Sequence, residues 1–582
     1  MGTALIFSAV SIQAQTKLQL ASFENNKGSW SEVAKVWVDP TQSSHELLSE
    51  GKGSILLNAP TKKKPGTDIV STEKFGDGEY TLVYMMAPGS NSGIYLQGQY
   101  EIQLLDSWTK TQFKAGDNGG IYERWDESKP DGQKGYQGYA PRLNASKAPG
   151  VWQTLKVQFR APRFSESGEK VENARIVSAT LNGVTIHEDV ELFGPTRGAL
   201  PGGEVAEGPI RIQGDHGPIA IQSLEVKQYD TPAPEFSSIS YQVYPGSYTT
   251  LPEESTLKSS STGKIKTFDE FVAGLTSASL SKFEGTISVK KAGNYTFRMA
   301  VPNNGLGAIQ IGNGSEQLQL RQGMITSAKA LQPGEISFVI WVSKPTDWTA
   351  QGFYLMAEAE AMWPTIYSNP AGMDSWSTDP ILVDTRETPV LRSFIEVPGR
   401  KKISHGISVS SAAGANYSYD LNSNQLLRVW RGGFLDATPM WDSRGNGVSR
   451  PVGVVTELNQ GSPLLHNADF SAASKEWQAK GYQILGDGAV KFMSVSKDGI
   501  QLKDQIQVKA DGKGIDRILE LSGNSASMLV CVAPGKTLTK VSDNTYLVEE
   551  TGVFLVSGQA PKVGTDGIYL PVTTALTYSL LF

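Results

Sequence analysis

The chain carries one cysteine, Cys531, in 582 residues. It can form no internal disulfide, and it has neither a Cys-x-x-Cys-His segment for haem nor a cysteine set for structural zinc. Cys531 stands in an apolar run, Ser527 to Val532, where a buried structural thiol is expected rather than a nucleophile. Clustered positive charge is also missing. The densest run is Lys62-Lys63-Lys64, which reads as a solvated turn, and the net charge is −6. These features set nucleic-acid partners aside, and no nucleotide cofactor is expected. No apolar run is long enough for a transmembrane helix. Long amphipathic helical stretches are hard to find.

The N-terminus departs from the globular pattern. Thr3 to Val10 is apolar, and Ser11-Ile12-Gln13-Ala14 follows with small residues near a cut site. The run reads as the end of a secretory signal peptide, residues 1–14, although its positive leading segment is missing. A secreted or periplasmic bacterial protein is expected.

What is abundant is turn chemistry. The 60 glycines and 30 prolines punctuate short runs rich in Val, Ile, Tyr, Phe and Thr. That spacing predicts an all-β protein of many short strands. The length exceeds one hydrophobic core, so several domains are expected. The first runs over 17–230 and ends in the alternating stretch Ile219 to Val226. Thr231-Pro232-Ala233-Pro234-Glu235 follows as a linker. The second domain, 236–384, contains Tyr295-Thr296-Phe297 and then Ala308-Ile309-Gln310-Ile311. It resembles the PA14-like and carbohydrate-binding β-sandwiches. The third, 386–582, opens with an unusual block, His405 to Gly447, and then alternates like a further sandwich. Within the block, Trp430, Arg431, Trp441, Asp442 and Arg444 are expected to form a buried structural core rather than a sugar-binding surface. No role follows for this domain.

Three segments of the first domain stand out: Asn91 to Asp106, Gly119 to Tyr122, and Gly208 to Gly217. Gly98-Gln99 reads as a two-residue hairpin turn between two strands. Residues two apart on a strand share a face. Glu101 and Gln103 therefore point one way, with Tyr95 and Gln97 beside them, while Ile102 and Leu104 point into the core. Arg211 and Gln213 repeat the pattern against Ile210 and Ile212. Polar faces on separate strands suggest one concave polar cleft, with His216 in a turn at its end. Taken singly, Glu101 and Arg211 read better as a surface ion pair, and Asp106 reads equally well as a turn residue.

These segments, with Trp152-Gln153-Thr154-Leu155 and Leu181-Asn182-Gly183 between them, resemble the 3-keto-glucoside lyase/hydratase family, also known as DUF1080. One departure is Gly214-Asp215, where a single residue is expected before His216-Gly217. The resemblance implies a concanavalin-like jelly roll, with two further β-sandwich-like domains behind it. It also implies a glucoside or oligosaccharide substrate.

Three functions compete. A retaining glucanase needs two carboxylates flanking the glycosidic bond. Here the face reads Glu101, Gln103, Leu105, with Asp106 turned away, and that reading fails. The family chemistry is 1,2-elimination of a glucoside already oxidised at C3, then hydration, for a net hydrolysis. A C3 ketone acidifies C2–H, so one base suffices if donors hold the enolate oxygen. His216 or Glu101 is expected as base, with Arg211 and Gln213 as the enolate clamp. Tyr95, Gln97, Gln103 and Tyr122 are expected as sugar contacts. A divalent metal held by His216 and a carboxylate would serve equally, and the choice stays open. The alternative is a non-catalytic carbohydrate-binding protein.

The signal-peptide reading is checked by mass spectrometry of protein from the native cell. An N-terminus near Gln15 is expected, and an intact Met1 in a cytoplasmic fraction would overturn it.

Overall fold

The computed structural model describes residues 16–270, 277–301, 304–312, 318–321, 323–348, 352–368, 379–442, 445–459, 461–473, 476–523 and 526–582. The apolar N-terminal run and Arg444 lie outside them. The regular secondary structure of the described residues is nearly all strand, with one α-helix among them, Thr438–Trp441. The all-β expectation holds.

The first domain is a jelly-roll sandwich of two antiparallel sheets. The larger, eight-stranded sheet has Gly78–Met86 at its centre, between Gln153–Arg160 and Ile219–Gln228. The smaller sheet orders Phe23–Glu24, Ile69–Phe75, Gly208–Ile212, Asn91–Leu96 and Tyr100–Leu105. Alternation builds both. In Gln153–Arg160, Leu155, Val157 and Phe159 are buried, while Thr154 and Lys156 face solvent. Ile94, Ile102, Leu104, Ile210 and Ile212 of the small sheet join them in one core. The apolar residues thus fix which side of the small sheet is left for polar side chains.

The chain divides into two compact units. One is residues 227–378, a sandwich of a six-stranded and a four-stranded sheet. Its core is unusually aromatic, with Phe268, Phe283, Phe297, Phe338 and Phe353 buried together. The other unit joins the jelly roll to residues 379–582. This stretch contains a six-stranded sheet over Leu382–Glu457, followed by a sandwich of a four- and an eight-stranded sheet.

One boundary differs from the sequence reading. Leu382–Val383, expected in the middle domain, pairs with Asp436 and Leu435 of the third. The third domain also packs on the first. Trp108 clusters with Ala148, Val151, Leu547, Phe554 and Leu581, and its indole N–H donates to the Phe582 carbonyl at 2.6 Å. No local sequence signal announces a contact between residues so far apart in the chain.

The tryptophan block splits in two. Trp430 is 0% exposed, packs with Phe434 and Leu435, and donates to the carbonyls of Gly433 and Phe434. Arg431 is buried and donates to the Gly512 carbonyl. Trp441, by contrast, is 54% exposed, so the expected common core stops before it. Burial pushes the Cys531 thiol up to about 12, as a structural thiol requires.

Trp430→Ala is expected to cost about 3–5 kcal/mol of stability by leaving a cavity. Trp441→Ala should stay within about 0.5 kcal/mol. Denaturant unfolding of the two variants checks this, and equal losses would contradict the assignment.

Candidate active site

The cleft face of the small sheet is built in rows. Arg211 pairs with Tyr95, and Tyr95 pairs with Glu101. The Tyr122 N–H donates to the Glu101 carbonyl at 3.0 Å, adding a fourth member from the neighbouring segment. The row therefore reads Arg211, Tyr95, Glu101, Tyr122 across four stretches of chain. In the next row Gly93 pairs with Gln103, and the Gln213 N–H donates to the Gly93 carbonyl. Each of these six residues stands directly next to a residue of the apolar core, so alternation turns its side chain to the opposite face.

Glu101 is the unusual member. It is 1% exposed, and its Oε1 has no hydrogen-bond partner. Burial pushes its carboxyl up to about 7, against the opposing pull of Tyr95, Arg211 and His216. Gly93 makes the position sterically possible, because a Cβ there would stand 2.2 Å from Glu101 Oε1.

Arg211 is held on several sides. Its Nε donates to Asp68 Oδ2 at 2.7 Å, a terminal nitrogen pairs with the same carboxylate, and Nη1 donates to the Gly198 carbonyl. Its guanidinium lies 4.6 Å over the Tyr95 ring. The Tyr95 hydroxyl donates to the Arg197 carbonyl at 3.2 Å, so the 197–198 segment touches both side chains.

The turn carrying His216 is fixed through its backbone. The Asn58 amide donates to the Gly214 and Gly217 carbonyls at 2.8 and 3.0 Å, and the Gly214 N–H donates to Asp68 Oδ1 at 2.8 Å. Asp68 thus ties Arg211 to the His216 turn. His216 itself is half exposed and pairs through Nδ1 with the neighbouring Asp215. Beside it lies an open groove of 790 Å³, bordered by Asn25, Lys27, Thr67, Asp68 and Asp215.

Two expectations need correction. The hairpin loop is three residues, Gln97-Gly98-Gln99, because Leu96 pairs with Tyr100. Gln97 adopts a φ of 53° in that loop, outside the strand. Its amide donates to the Ala206 and Phe75 carbonyls at 2.8 and 3.3 Å, so it braces the loop instead of joining the Glu101 row. For the divalent metal, the residues at hand are His216 and the neighbouring Asp215. Among the described residues no three His, Cys, Asp or Glu side chains converge, and His216 Nδ1 is engaged by Asp215.

Asp68 and Gly93 were missed as functional residues. Asp68 stands just before its strand, in a Gly-Thr-Asp stretch that reads as an ordinary turn. Gly93 lies inside the Asn91–Asp106 segment, but only the three-dimensional position of Glu101 gives it a purpose. Asp106 is the turn residue it resembled, accepting the N–H groups of Gly89 and Trp108.

Residues 19–227 match the family model described as a 3-keto-alpha-glucoside-1,2-lyase-like domain. The first domain is therefore of a carbohydrate-active kind. A crystal structure described as a "putative glycosyl hydrolase" from Parabacteroides distasonis ATCC 8503 is 24% identical. It covers 36% of this chain and 82% of its own, with a TM-score of 0.25. A second, described alike and from the same organism, is 16% identical, covering 36% of this chain and 98% of its own at a TM-score of 0.22. An anti-sigma factor domain-containing protein from Clostridium clariflavum is 10% identical over 54% of this chain and 87% of its own, with a TM-score of 0.19. No curated protein matches the chain.

The raised Glu101 carboxyl has a signed consequence for stability. Between its unfolded value of 4.5 and about 7, the folded state binds more protons than the unfolded state. The stability it contributes is present below pH 4.5 and lost as pH rises through 7. Glu101→Gln removes that loss. The variant should gain on wild type by a few kcal/mol between pH 4 and pH 8. Unfolding curves across that range check it, and a pH-independent difference would refute a raised carboxyl.

Proposed function

We propose that the first domain cleaves 3-keto-glucosides by 1,2-elimination and hydration, with Glu101 as the base. The observation that carries this reading is a single buried carboxyl poised near 7, with a fixed guanidinium two strands away in the same row. The second carboxylate in range, Asp68, is occupied by Arg211 and the Gly214 N–H. The pair of independent acids that direct glycoside hydrolysis requires is therefore missing from this face.

In the proposed reaction the ionised Glu101 takes the C2 proton, and the electron pair forms the C1=C2 double bond as the C1–oxygen bond breaks. The departing oxygen takes a proton from His216 or water. Arg211 and Gln213 stabilise the charge that develops on the C3 oxygen. Tyr95, Gln103 and Tyr122 line the adjoining face and contact the sugar. Water then adds across the double bond, its hydroxyl to C1 and a proton to C2, releasing 3-keto-glucose. Glu101 is preferred to His216 as base because desolvation raises its proton affinity. The export read from the N-terminal run belongs to the same proposal, as does a glucoside or oligosaccharide substrate.

Ordinary glucosides should be inert and 3-keto-glucosides consumed. In deuterated water the released sugar, trapped before it enolises unaided, should carry deuterium at C2. kcat/KM should rise with pH through an apparent pKa near 7, the limb set by Glu101. Glu101→Gln should abolish C2 exchange, and Arg211→Ala should lower turnover by about 100- to 1,000-fold. Turnover of unoxidised glucosides, or wild-type rates in both variants, would overturn the reading. Binding of glucosides with no turnover of the 3-keto form would favour a non-catalytic carbohydrate-binding role.

A further inference from the structure

A second cavity, of 650 Å³, opens within the unit formed by the jelly roll and residues 379–582. It lies where three pieces meet: the jelly roll at Lys147 and Asn182, the Arg450–Glu457 strand, and loops of the last sandwich. We propose that this cavity is a second saccharide site, taking a neutral mono- or disaccharide through its hydroxyl groups. The inference goes beyond the proposed reaction, since none of the cavity's lining belongs to the Glu101 row.

Lys147 and Glu457 carry the argument. The Lys147 backbone N–H donates to Gln153 Oε1 at 3.0 Å, which anchors the residue to the jelly roll. Burial holds its ammonium below the ordinary lysine range, with no neighbouring carboxylate to offset the loss of water. Glu457 ends its strand with Oε2 buried and lacking a hydrogen-bond partner, while Oε1 stands 3.8 Å from Arg428. Burial raises this carboxyl as well.

The other carboxylates of the lining are occupied. Glu550 accepts the N–H groups of Lys536 and Thr537 at 2.9 and 3.0 Å. Asp566 accepts the Ser462 and Tyr569 hydroxyls at 2.8 and 2.6 Å. The lining therefore keeps charge of both signs, Lys147 and Lys536 against Glu457. An anion would meet Glu457, and a cation would meet the two lysines. A sugar hydroxyl both donates and accepts, so adjacent hydroxyls satisfy both groups without adding charge. Thr456 and Thr551 widen the polar lining.

The test reads the site locally in the full chain. Lysines are reductively methylated with a carbon-13 label, which keeps their charge, and the Lys147 signal is identified by its absence in Lys147→Met. Methyl α-glucoside and maltose are titrated, with inorganic phosphate alongside. The expected result is a saturable shift of the Lys147 signal with sugar and none with phosphate. Glu457→Gln should weaken the sugar response roughly ten-fold or more, the scale of a lost charged hydrogen bond. Thr456→Val provides a milder second variant, also expected to weaken it. 3-Keto-glucoside turnover in Lys147→Met should stay at the wild-type level. An unmoved signal, a shift with phosphate alone, or a sugar response indifferent to both Glu457→Gln and Thr456→Val would overturn the proposal.

Discussion

Everything at the candidate active site depends on keeping one carboxyl group out of water. Transfer of an ionisable group into a protein interior is unfavourable unless it is paired, and Glu101 leaves one oxygen unpartnered. The strand beneath it holds the group in place. Ile102 and Leu104 of Tyr100–Leu105 sit in the main core, and a shift of one residue would turn them outward. The apolar face therefore fixes the register, and the register fixes Glu101 opposite Tyr95. Gly93 completes the arrangement, since the missing side chain is the space the carboxyl occupies.

The period-two pattern made much of this readable in advance. It assigned Glu101, Gln103 and Tyr95 to one face and Arg211 and Gln213 to the corresponding face of a second strand, because core burial forces that alternation. It failed at Gln97, where the strand had already ended. A left-handed φ in the loop redirects that side chain onto backbone carbonyls. It also could not reveal Asp68, whose partner Arg211 lies 143 residues away. Such long-range polar pairs leave no periodic trace in the sequence. The same limit hid the union of the first and third domains, which rests on Trp108 meeting the end of the chain.

That union changes the meaning of the third domain. Trp108 follows directly from the strand that carries Glu101, and Asp106 and Ser107 between them are tied to Gly89 and Asn118. An apolar cluster drawn from residues 547 to 581 covers the indole. Burial of an aromatic group of this size is a substantial stabilising contribution. The third domain thus supports the segment that leaves the active strand, while its own last sandwich is organised separately around Arg517 and Asp504, paired through two hydrogen bonds of 2.9 and 2.6 Å.

The two acids of the site owe their different roles to their partners. Arg211 could in principle pair with Glu101, and a direct ion pair would lower that carboxyl far below neutrality. Asp68 prevents this by occupying the Nε edge of the guanidinium, while the Gly198 carbonyl takes another donor. Part of the positive charge is thereby balanced, and desolvation remains the dominant influence on Glu101. Two carboxylates in one cleft are thus separated into an anchor for Arg211 and a group that burial pushes up to about 7. Asp68 therefore bears on the basicity of Glu101 as well as on the position of Arg211, from a position outside the strands of both.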